Sequence, residues 1–99
     1  SLTHAAIYEL NNDYEAVIHI HCKEMWLKLL NKVPTTAADV SYGTPQMAYE
    51  IQRLYRETDL AESKIVAMAG HEDGIISFGK NLQEAAQVLF GWSKKKMIL

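Results

Sequence analysis

Apolar side chains recur along this chain with two periods, and the switches between them mark out the elements. Over 3–11, Thr3, Ile7 and Leu10 fall three to four apart, which predicts a helix, and Asn11-Asn12-Asp13 closes it in a turn. Glu15-Ala16-Val17-Ile18-His19-Ile20-His21 then reads as a strand, and its apolar second face (Ala16, Ile18, Ile20) suits an interior strand covered on both sides. The 3.6-residue period returns over 22–32, burying Met25, Trp26, Leu29 and Leu30 and leaving a Glu24–Lys28 pair on the wet face. The stretch 33–43 has no clear period and is expected to be a connection. Thr44-Pro45 offers a capping hydroxyl and a proline at the first helical position, and Met47, Ile51, Leu54 and Tyr55 form the stripe of the helix that follows.

Two short apolar runs come next, Lys64-Ile65-Val66-Ala67-Met68-Ala69 and Gly74-Ile75-Ile76-Ser77-Phe78. The five residues between them are few enough to make an antiparallel hairpin. Asn81 with Glu84 three positions on resembles a capping box, opening a last helix whose core face is Leu82, Ala85, Leu89 and Trp92. The end, 94–99, is expected to be a frayed tail. The pattern predicts an α/β fold with a mixed sheet, without linker, repeat or low-complexity segment.

Composition narrows the setting. Ninety-nine residues suit one small domain that buries roughly 60–70% of its unfolded surface. The net charge of −2 gives no basic face for nucleic acid. There is no apolar run long enough to span a membrane. Ser1-Leu2-Thr3-His4 has no signal-peptide pattern, and the single Cys22 excludes an intrachain disulfide, so a cytoplasmic location is expected.

The candidate chemistry lies in three histidines. Strand side chains alternate faces, so His19 and His21 point the same way. Two imidazoles on a rigid backbone make half of a tetrahedral metal site, and His71, in Gly70-His71-Glu72-Asp73-Gly74, can supply a third ligand from the hairpin turn. Three protein ligands and an open position form the catalytic arrangement for zinc. The plainer alternatives are a half-exposed histidine pair bonded to water and a turn histidine between glycines. Glu72 is read as a solvated turn carboxylate, with an oxygen ligand as its alternative. Strand alternation sends Cys22 to the opposite face, as a buried apolar residue. His4 is read as a packed or capping histidine on the first helix. The five tyrosines are read as packing aromatics, with Tyr42, beside a loop, the one candidate for substrate contact. Glu24 after the histidine pair suggests a cupin barrel only weakly, because the stretch has a helical period.

Taken in order, Val17-Ile18-His19-Ile20-His21, Tyr42-Gly43-Thr44-Pro45 and Met68-Ala69-Gly70-His71-Glu72-Asp73-Gly74-Ile75-Ile76, with the helices between them, resemble the class II aldolase/adducin family. The resemblance covers essentially the whole chain. It implies a three-layer α/β/α architecture with a mixed, partly antiparallel sheet, spanning 1–99 as one partial domain that lacks the family's N-terminal strands. It implies that His19, His21 and His71 hold Zn2+ or another divalent metal. It further implies a lyase that cleaves small phosphorylated sugars by retro-aldol chemistry through an enediolate. Relatives epimerise, dehydrate or decarboxylate on the same scaffold, and an adducin-like assembly domain is the non-catalytic alternative. An unrelated metal-binding or metal-sensing module is a third reading.

The chain departs from the family in its missing parts. The glycine- and serine-rich loops that cradle phosphate are not found, and the family's acidic residue would fall immediately before Ser1. The tyrosine that some aldolases carry after a proline loop has no counterpart over 35–40. A fragment or a reduced relative is therefore expected, with catalytic and substrate-binding residues unassigned, no sugar-phosphate cleavage by these residues alone, and self-association, by family resemblance as a tetramer.

Overall fold

The computed structural model describes residues 2–98, with side chains described through residue 93. The elements run α1 (Leu2–Leu10), β1 (Ala16–His21), α2 (Lys23–Leu29), β2 (Thr35–Thr36), α3 (Pro45–Glu57), α4 (Leu60–Ser63), β3 (Ile65–Met68), β4 (Gly74–Gly79) and α5 (Leu82–Ile98). The strands form one mixed sheet in the order β1-β4-β3-β2, antiparallel except for the β2–β3 pair. The fold is α/β.

Helices cover both faces of the sheet. On one side, Ala6 and Ile7 of α1, Met47, Ile51 and Leu54 of α3, and Leu60 of α4 pack on Val66, Met68, Ile76 and Phe78. On the other, Met25 and Leu29 of α2 and Leu89 of α5 pack on Ile65, Ala67 and Ile75. Period-two alternation sends successive strand residues to opposite cores. β3 and β4 are buried along their whole length, which is why both read as continuous apolar runs.

Helix starts follow the sequence. Thr44 accepts the Met47 N–H at 3.2 Å ahead of Pro45. Asn81 accepts the Glu84 N–H at 2.8 Å, while the Glu84 carboxylate reaches back to the Lys80 N–H at 3.3 Å and receives Lys64 Nζ at 2.8 Å. The capping box is thus displaced by one residue on its return half.

Several expectations are corrected. β1 is an edge strand among the described residues, pairing with β4 alone, and its residues are half-buried or exposed. Both of its faces are covered, Val17 toward one core and Ile18 and Ile20 toward the other, so only the interior position is corrected. The stretch 33–43 contains β2, whose two threonines run parallel to Ala67 and Met68. One-turn α4 escapes a period-based reading, although Leu60 is fully buried. Leu82, the first residue of α5, is 66% exposed although its spacing aligns it with Ala85 and Leu89, which are buried. The backbone over 94–98 continues α5; the side chains of that stretch, and Leu99, lie outside the described residues.

Candidate metal centre

β1 and β4 pair with His19 opposite Ile76 and His21 opposite Gly74. This register brings the end of β1 alongside the turn that joins β3 to β4. The Cys22 N–H donates to the Asp73 carbonyl at 2.9 Å and fastens the two together. Within the turn, the His71 N–H reaches the Met68 carbonyl at 3.1 Å and the Gly74 N–H reaches the His71 carbonyl at 2.9 Å. Position 74 must be glycine for this packing, since a Cβ there would stand 2.5 Å from His71 Cδ2.

The three predicted histidines converge. Ring centroids lie 4.9 Å apart for His19–His21, 5.3 Å for His19–His71 and 4.7 Å for His21–His71. One ligand atom from each falls within 4.8 Å of the others. The Nε2 atoms of His19 and His71 are buried without a hydrogen-bond partner, a condition that costs about 1–3 kcal/mol per group when nothing else satisfies it. His21 Nδ1 lies 3.3 Å from the Glu72 carbonyl. A carbonyl only accepts, so Nδ1 carries a proton and Nε2 is the nitrogen left to face a ligand. Such a bond from the remote ring nitrogen commonly orients metal-bound histidine.

The electrostatics agree. Burial, followed by the neighbouring His21, His71 and His4, pushes His19 down to about 4. Burial, then His21, also lowers His71. Neutral imidazole is the form that binds a metal ion. The donor set, its protonation and its unpartnered nitrogens all fit a divalent ion.

The other candidates are placed as follows. Cys22 is on the opposite side, packed with Ile18 and Ile20 against the α2–α5 core. Glu72 contributes its carbonyl, while the residue is exposed and its carboxylate is outside the cluster. His4 stands on α1 with its ring centroid 6.4 Å from that of His19. Glu24 is exposed on α2. Tyr42 is the residue undervalued from sequence. Its ring centroid lies 4.5 Å from that of His19 and 4.8 Å from that of His71. Nothing local in the sequence gives that contact except its place just before the Gly43-Thr44-Pro45 helix start.

Residues 1–92 match the family described as class II aldolase and adducin N-terminal domain. The chain belongs to the class II aldolase/adducin family. No curated protein and no solved structure matches it. Class II aldolases are often metal-dependent, and this member brings three imidazoles together where one ion can reach all of them. None of its described helices is long and apolar enough to cross a membrane.

Proposed function

We propose that this class II aldolase/adducin domain, taken as one partial unit over 1–99, holds one divalent ion, zinc foremost, through Nε2 of His19, His21 and His71. The reading rests on the two buried, unpartnered Nε2 atoms of His19 and His71 beside a third imidazole oriented by a carbonyl. Imidazole nitrogen suits zinc, and three protein ligands leave a position for a substrate oxygen. The same observation favours a metal centre over a purely structural adducin-like role. A scaffold domain gains nothing from two unsatisfied buried nitrogens, which cost stability.

The substrate proposed is a small phosphorylated sugar, and the reaction a retro-aldol cleavage of lyase type. When bound, the ion supplies Lewis-acid polarisation of the substrate's hydroxyl and carbonyl oxygens. The chain's own part is to hold the ligands: β1 sets two imidazoles on one face, the hairpin turn presents the third, and the Glu72 carbonyl keeps the His21 proton on Nδ1. Among the described residues no carboxylate joins the cluster. Assembly into a homo-oligomer, a tetramer foremost, belongs to the same proposal.

Metal analysis of protein purified without chelator tests this reading. About one equivalent of ion per chain is expected, and its loss in the His19→Ala/His21→Ala double variant. Unchanged stoichiometry in that variant overturns it.

A further inference from the structure

The connection into α3 is fastened at several points. Thr3 of α1, fully buried, accepts the Gly43 N–H at 3.2 Å. Thr44 caps α3 and donates its hydroxyl to the Ser41 carbonyl at 2.7 Å. Tyr42 sits between these anchors, packed on the edge of the α1–α3 core. Its backbone position is therefore dictated by α1 and α3, elements that carry none of the three imidazoles.

From this fixed position the ring faces two of them. It stacks on His71 with 20° between the planes and leans on His19 at 34°. The direction of an imidazole Nε2 depends on χ2, a broad torsion with no sharp preference of its own. The Glu72 carbonyl settles that torsion for His21. For His71, turning the ring about χ2 would drive its edge into the tyrosine face, and offset stacking is the favoured arrangement of such rings.

We propose that Tyr42 is a positioning residue of this centre: its ring, anchored from α1 and α3, holds the planes of His71 and His19 so that their Nε2 atoms meet at one point. The assignment rests on the metal reading above and adds the element that orders two of its three ligands. The working part is the aromatic face, so phenylalanine can replace tyrosine and an aliphatic side chain cannot.

Co2+ serves as the probe, because its visible absorption reports ligand geometry. Tyr42→Phe is expected to bind Co2+ with the affinity and spectrum of the unsubstituted chain. Tyr42→Leu is expected to lose roughly 10–100-fold in affinity, the range typical for residues that orient metal ligands, and to show an altered band, both measured on folded protein. A second measurement needs no variant: in the metal-free chain, the His71 ring protons should be shifted upfield in the NMR spectrum by the tyrosine ring above them. Tyr42→Leu binding Co2+ as tightly as the unsubstituted chain, or unshifted His71 protons, overturns the positioning role alone. Failure of the unsubstituted chain to take up about one equivalent of Co2+ overturns the metal reading, and this assignment with it.

Discussion

Trp26 and His71 share one acceptor: the indole N–H at 2.9 Å and the His71 backbone N–H at 3.1 Å both meet the Met68 carbonyl. The single oxygen ties α2 to the turn that presents the third imidazole. Trp26→Phe keeps an aromatic ring in the α2–α5 core while removing the indole donor together with part of the packed ring system. It should lower stability by at least about 1 kcal/mol, the usual net worth of such a bond, with the lost ring contacts adding to it. Urea denaturation checks this, and an unchanged midpoint means that the indole bond adds nothing to the turn.

Gly70 and Gly91 should respond to alanine in opposite directions. A Cβ on Gly70 would collide with the backbone carbonyls of Val40 and Ala38, which cannot swing aside as a side chain can. Gly70→Ala should therefore cost at least the roughly 1–3 kcal/mol typical of overpacking. At Gly91, inside α5, an added Cβ meets nothing within 4 Å. Gly91→Ala should stabilise by about 0.5–1 kcal/mol through helix propensity. Thermal unfolding of the two variants side by side gives the signs directly.

Glu50 makes part of the stability pH-dependent. Its carboxylate accepts Arg53 Nε at 2.7 Å and the Ala37 N–H at 2.7 Å, and so joins α3 to the strand end of the preceding connection. The Arg53 hydrogen bond, opposed by burial and aided by Ala37, holds the carboxyl below its ordinary value of 4.5. Because the folded form is the stronger acid, the unfolded chain takes up the proton first. The contribution is present above 4.5 and is lost as pH falls through the folded value. Glu50→Gln should flatten this acid limb. Parallel limbs for the two proteins in denaturation from pH 6 to 3 contradict the assignment.

Metal and His19 should exchange stability for function. Zinc at one hundred times its dissociation constant should add about 2.7 kcal/mol to the native state, and a chelator should remove it. His19→Leu deletes a buried nitrogen that has no partner. The metal-free variant should be more stable than the metal-free parent by about 1 kcal/mol, within the range for an unsatisfied polar group, and indifferent to zinc. A zinc-dependent rise in the unfolding temperature of His19→Leu equal to that of the parent contradicts the three-histidine centre.

Much of this architecture was legible in local patterns. Alternation placed His19 and His21 on one face, the short turn made β3 and β4 a hairpin, and Thr44 and Asn81 marked two helix starts. Other features depend on partners distant in sequence. β2 is two threonines made into a strand only by β3, which lies far along the chain. The edge position of β1 is hidden because strand neighbours pair through the backbone, while the apolar side chains report only the helices on either face. Tyr42 gives no local sign of its stacking, because the path of the loop is set by Thr3 and by the carbonyls resting on Gly70.

The β1–β4 register also sets when the centre can come into being. Fifty-one positions separate His21 from Glu72, whose carbonyl orients it. A chain still being synthesised owns the two β1 imidazoles before it has His71, and a partly opened one holds the third apart from them. Closing so long a loop is among the slower acts of folding. A slip of one residue along β4 would turn His19 and His21 toward the α2–α5 core instead. The three imidazoles meet only in the finished, correctly aligned sheet, so any site they form inspects the fold that builds it.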